Sequence, residues 1–158
     1  APLAKLGLTG VRLKFDGQLQ STRVHDPISN SIRNFSDYYP DWNWNVELRR
    51  DAGAFSYGFA VNDRDRFTFF RADETDSNWN GGVYGTTFVE YRPGPRTSIT
   101  FDVDNLFDTE ARRERVFFAP NRSNPDPYRQ EIRLRNRHVN FGITLKQTLG
   151  GGGVAKPN

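Results

Sequence analysis

Thr97-Ser98-Ile99-Thr100-Phe101-Asp102-Val103-Asp104-Asn105-Leu106-Phe107-Asp108 is the stretch that decides the fold. Ile99, Phe101 and Val103 alternate with Ser98, Thr100, Asp102 and Asp104, and Asn105–Asp108 ends the alternation. Successive side chains on a strand point to opposite faces, so the pattern predicts a strand with one apolar and one wet face. Arg92-Pro93-Gly94-Pro95-Arg96 comes just before it and makes it the returning half of a hairpin. The fold then turns on whether the apolar face meets a protein core or lipid.

The same alternation recurs on both sides. Val11, Leu13, Phe15, Gly17 and Leu19 share one face over nine residues, close to the roughly 9–11 that a tilted strand needs to cross a bilayer. Trp42, Trp44, Val46 and Leu48 alternate with Asn43, Asn45, Glu47 and Arg49. After a tight turn at Asp51-Ala52-Gly53, Phe55, Tyr57, Phe59 and Val61 face away from Ser56, Gly58, Ala60 and Asn62. Phe67 and Phe69 either continue this strand past a kink at Asn62–Arg66 or start another after a turn. Val83, Thr87, Val89 and Tyr91 lead into the opening hairpin. In the last strand, Val139, Phe141, Ile143 and Leu145 oppose His138, Asn140, Gly142, Thr144 and Lys146.

The expected fold is all-β, an antiparallel up-and-down meander of about six to eight strands. Three connections, Arg23–Asp37, Ala72–Gly82 and Thr109–Tyr128, are long and polar and read as loops. They alternate with the two short turns. An up-and-down meander then puts the short turns at one end and the long loops at the other, as in outer-membrane barrels. A Greek-key sandwich has no reason to sort its loops this way.

Composition narrows the classes. The chain has 158 residues, 35% of them hydrophobic and 14% aromatic, with 13 Phe and 6 Tyr. Few aliphatics and many aromatics suit sheets with one apolar face, and a polar barrel lumen also keeps mean hydropathy low. No run approaches the roughly 18 apolar residues of a spanning helix. There is no cysteine, hence no disulfide framework, thiolate metal site or cysteine nucleophile. The +3 net charge is too mild to argue for nucleic acid. Arg112, Arg113 and Arg115 form one dense basic group; Arg133, Arg135 and Arg137 form another, alternating with Ile132, Leu134 and Asn136 as on a strand. The chain does not begin with Met and shows no signal peptide, which is expected of a processed or excised segment.

Phe88-Val89-Glu90-Tyr91-Arg92, the short turn and then Ser98–Asp108 resemble the C-terminal barrel region of TonB-dependent outer-membrane receptors. In that family the second-last strand ends in Asn-Leu-Phe-Asp, here Asn105, Leu106, Phe107 and Asp108, before an outer loop and a final strand. Val116–Arg122 and the Asp26-Pro27 loop are similar to one subgroup. The resemblance covers nearly the whole chain. It implies residues 1–149 as the last quarter or third of a barrel of about 22 strands, with a flexible glycine-rich tail over 150–158. It also implies periplasmic short turns, extracellular long loops and a place in the bacterial outer membrane. The implied partners are membrane lipid, the rest of the barrel, a plug domain that this stretch does not include and, through that plug, the TonB complex. The implied function is the wall and outer loops of an energised importer for an iron chelate, cobalamin or glycan, without catalysis or cofactor. The chain departs from the family in ending Thr148-Leu149 and glycines rather than on an aromatic residue.

Other readings stay open on the residues alone. A soluble lipocalin-like carrier would turn the same alternation inward around a ligand, and a carbohydrate-binding β-sandwich would use exposed tryptophans. Trp42 and Trp44 sit where an aromatic girdle belongs, and Trp79, in a loop, is the candidate ligand contact. His25 and His138 are too few for a metal site of three or more ligands. Asp102 and Asp104 read as lumen wall facing arginines of a neighbouring strand. Asp73, Glu74 and Asp76 fail the EF-hand spacing and read as a solvated acidic loop. No Ser-His-acid set has a recognisable spacing, and Gly150–Gly153 precedes no helix.

Overall fold

The computed structural model describes residues 9–35 and 39–149, so the glycine-rich tail lies outside the described residues. Twelve strands and no helix occur among them. Six strands form one antiparallel sheet: β1 (Val11–Leu19), β4 (Trp42–Ala52), β5 (Phe55–Arg64), β8 (Tyr84–Gly94), β9 (Thr97–Asp104) and β12 (Asn140–Gln147). Their order in space is β1-β4-β5-β8-β9-β12, an up-and-down meander. β1 and β12 are its open edges, and no closed barrel forms among the described residues.

The long connections are not the irregular loops that their polarity predicts. The first carries a hairpin, β2 (Arg23–Asp26) with β3 (Ser31–Asn34). The second carries β6 (Phe67–Phe70) and β7 (Glu74–Asn80), and the third β10 (Glu110–Phe118) and β11 (Pro127–Asn136). β7 pairs with β10, so these two connections build one four-stranded loop sheet, β11-β10-β7-β6. Phe67 and Phe69 therefore belong to a separate strand. Apolar alternation could not reveal β7 and β10, because cross-strand pairs of arginine and carboxylate replace it.

The expected sorting of connections is met. β4 and β5 join through Gly53-Ala54, with Gly53 at φ +60°. β8 and β9 join through Pro95-Arg96 after a register shift between Tyr91 and Gly94. The Asp51 amide donates to the Gly10 carbonyl and that of Thr148 to the Arg96 carbonyl, so the start of β1 and the end of β12 lie beside these turns. The three long connections leave from the opposite end.

Register carries the alternation across the whole sheet. Leu13, Leu48, Phe59, Thr87, Val103 and Phe141 form one row from edge to edge. Phe15, Val46, Val61 and Gly85 form the next row toward the long connections. Tyr57, Val89, Phe101 and Ile143 form a row toward the turns. Arg50 and Asp63 are the charged residues on this face, one toward the turns and one at the loop end. The opposite face carries Arg12, Lys14, Glu47, Arg49, Glu90, Asp102 and Asp104.

The apolar face is open. Phe15 is 68% exposed, Ile143 78%, and Leu48, Val89 and Phe101 are exposed as well. Val103 is the one buried hydrophobic residue among the described residues. Asp26, Ser56, Glu74, Asp76, Ser77, Asn105 and Arg122 are buried instead. A water-soluble domain places these two classes the other way round, and an exposed apolar area of this kind marks a surface that meets something apolar.

Candidate functional site

The chemistry-bearing residues gather at the end of the meander where the long connections meet. Asp26, at the end of β2, is 1% exposed. Its Oδ1 accepts the amides of Ile28 and Ser29 at 2.9 and 3.2 Å, as Asx turns do. Its Oδ2 accepts Arg33 Nε and Arg122 Nη1, both at 2.8 Å. Arg122 lies beyond β10 and also donates to the Arg71 carbonyl between β6 and β7. The guanidiniums of Arg33 and Arg122 stand 3.8 and 5.3 Å from the centre of the Phe70 ring. One buried carboxylate thus joins all three long connections.

A second set crosses the loop sheet. Glu74, 3% exposed, accepts Arg71 at 2.5 Å and Arg115 at 2.6 Å. Asp76 receives the fork of Arg113 at 2.8 and 2.6 Å, a two-point geometry that only arginine supplies. Of the acidic stretch expected to be solvated, Glu74 and Asp76 are therefore buried and paired, while Asp73 is exposed. Arg115, Arg129 and Arg133 converge on Glu131 of β11.

These pairs set an acid dependence. Burial alone would raise the carboxyl of Asp26, but hydrogen bonds from Arg122, Ile28, Arg33 and Ser29 outweigh it and hold the group well below its ordinary value of 3.8. Asp76 is lowered chiefly by the hydrogen bond from Arg113. A depressed carboxylate stabilises fully above its unfolded value and loses that contribution as pH falls through its folded value. The junction of the connections is expected to hold at neutral pH and to loosen progressively below pH 3.8. Limited proteolysis of the three connections across this range checks it, with cleavage rising in acid before the main sheet opens.

The Asn105–Asp108 motif closes the end of the main sheet. Asn105 is fully buried at φ +54°, a conformation Asn tolerates better than most residues. Its Oδ1 accepts the Thr109 amide at 2.8 Å, and its Nδ2 donates to the carbonyls of Thr109 and His138 at 3.1 and 3.2 Å. It therefore ties the exit of β9 to the entry of β12. The Leu106 amide donates to the Gly85 carbonyl at 2.9 Å. The Phe107 ring lies over Gly85, where an added Cβ would come within 2.6 Å of it, and meets Phe59 edge-on at 6.4 Å. Gly85→Ala is expected to displace that ring at about 1–3 kcal/mol, read as a lowered urea midpoint in detergent. Asp108, at φ +52°, lies 3.5 Å from His138.

Trp79 lies in β7 rather than in an irregular loop, with the guanidiniums of Arg66 and Arg112 4.5 and 5.1 Å from its ring centre. Trp42 and Trp44 lie on the apolar face at the end near the long connections, opposite Leu19 and Gly17. His25 lies on β2 and His138 just before β12, in different parts of the molecule's chain order. Asp102 and Asp104 lie on the polar face, but no arginine pairs with either among the described residues; Asp102 instead covers Gly142, and Asp104 stands opposite Thr86 and Asn140. The Asp26–Arg122 pair was missed because its halves stand 96 residues apart, although both stretches stand out in the sequence. The alternating charges of Glu110–Arg115 were the available signal for β10. No family model, curated protein or solved structure matches the chain.

Proposed function

We propose that the chain forms part of the wall and outer loops of an outer-membrane, TonB-energised importer for a scarce nutrient. One observation carries the reading: a six-stranded meander exposes a continuous apolar face while its opposite face is charged. The nine residues of β1 suit a bilayer crossing, for which a tilted strand needs about 9–11. Lipid would cover Phe15, Phe101 and Ile143; the charged face would line a watery lumen. Trp42 and Trp44 would then stand in the outer aromatic girdle and the joined connections outside the cell. The open edges β1 and β12 would pair with further barrel strands, since a free edge invites pairing. The Asn105–Asp108 resemblance supplies the family, and ligand recognition falls to the connections and the plug.

A lipocalin-like carrier requires a closed sheet with its apolar face inward, and a sandwich requires a second sheet against that face. Neither arrangement occurs among the described residues. Detergent phase partition tests the proposal. The chain is expected in the detergent phase, and recovery as a soluble, monodisperse monomer in detergent-free buffer would refute it.

A further inference from the structure

Two hollows at the loop end concentrate positive charge. They adjoin, with volumes of about 300 and about 490 Å³, and share Arg64, Ala111 and Arg135 in their walls. Arg137 lines the smaller, and Arg112, Arg113 and Arg133 line the larger. Arg113, Arg133 and Arg135 share one face of the loop sheet with Phe67 and Arg64, while Arg112 turns to the other face with Trp79. With Arg137, five arginines thus face one carboxylate, Glu110, in a chain whose net charge is only +3. Asp76 neutralises Arg113 at 2.6 Å, and Arg133 has a share of Glu131 at 3.5 Å. Among the described residues the other three, Arg64, Arg135 and Arg137, form no ion pair.

These three cations are also placed to bind. Arg64 stands over Phe67, 5.1 Å from the ring centre. A guanidinium held by its face against a ring still presents its N–H groups at its edge. Tyr84 and Asn80 add neutral donors to the smaller hollow. Clustered guanidiniums repel one another in a concave site and attract anions into it. A ligand with one charge would match one of the three, and an uncharged sugar none.

We propose that the two hollows bind a small soluble polyanion carrying two or more carboxylate or phosphate groups, held by Arg64, Arg135 and Arg137. Its role as cargo rests on the importer reading above; its binding rests on the arginine placement alone. Calorimetry on the chain in a non-ionic detergent separates the two, because it does not depend on where the chain partitions. The probes are citrate and inorganic pyrophosphate, with acetate and glucose as controls. Both polyanions are expected to saturate a site at least about tenfold more tightly than acetate, more weakly as salt rises, and glucose is expected to give no heat. Arg135→Gln/Arg137→Gln, at exposed positions, is expected to weaken both by about tenfold or more, as is Arg64→Gln. Arg96→Gln, beside the short turns, is expected to leave binding unchanged. Absence of saturable binding of both polyanions would overturn the proposal. So would equal affinity in the Arg135/Arg137 variant, or an equal loss in Arg96→Gln.

Discussion

Asn105→Ala is expected to lower the stability of the sheet by about 3–5 kcal/mol, the sum of two costs. Three hydrogen bonds vanish from a fully buried position, leaving the Thr109 amide and carbonyl without this partner and the His138 carbonyl with Asn140 Nδ2 alone. The backbone also sits at φ +54°, where asparagine offsets the crowding of its Cβ by bonding locally and alanine does not. Asn105→Gly removes the second cost and keeps the first, so it should fall between wild type and alanine. Asn105→Asp keeps the acceptor for Thr109 but sets a carboxylate against two carbonyl oxygens. Urea unfolding in detergent micelles, followed by tryptophan emission, reads the series. A neutral Asn105→Ala would mean that the motif does not hold β9 to β12.

Breaking the buried pair at the junction of the connections is expected to cost as much, but in a different place. Asp26→Ala leaves Arg122, 9% exposed, and Arg33 facing an empty acceptor, and removing one partner of a buried pair costs about 3–5 kcal/mol. Arg122→Ala should cost less, since the Asp26 carboxylate keeps Arg33 and the amides of Ile28 and Ser29, although a cation is lost from the Phe70 ring. The double variant should cost less than the sum, with a coupling of about 1–3 kcal/mol. The effect should be local. Hydrogen exchange should rise in β2, β3 and the turn at Arg71–Asp73, while β4, β5, β8 and β9 stay protected. Uniform loss of protection would contradict the assignment of this pair to the connections.

The main sheet was legible because its chemistry is binary. Leu13, Leu48, Phe101 and Phe141 each stand one residue from a polar neighbour, and period two needs no partner to be recognised. The loop sheet was not, because β7 and β10 carry polar side chains on both faces and pair through charges whose partners lie 37 and 41 residues away. Asn105 could be seen as part of a motif, but its work depends on His138, which only the folded sheet brings to it. Trp79 was legible as an unusual residue and not as one placed between two guanidiniums. Local periodicity is written in the sequence; long-range charge pairing is not.

The central claim is that the apolar face of the meander meets lipid. Nitroxide labels placed singly from Ile99 to Asp104, with the chain in phospholipid vesicles, test it most directly. Ile99 and Phe101 lie exposed on the apolar face, and Thr100, Asp102 and Asp104 on the polar one. Collisions with oxygen, which concentrates in lipid, should peak at the first set, and collisions with a water-soluble nickel chelate at the second. A period-two exchange between the two reagents is the predicted result. Labels at Ile99 and Phe101 shielded from both reagents, in a protein that stays in the aqueous phase, would contradict it.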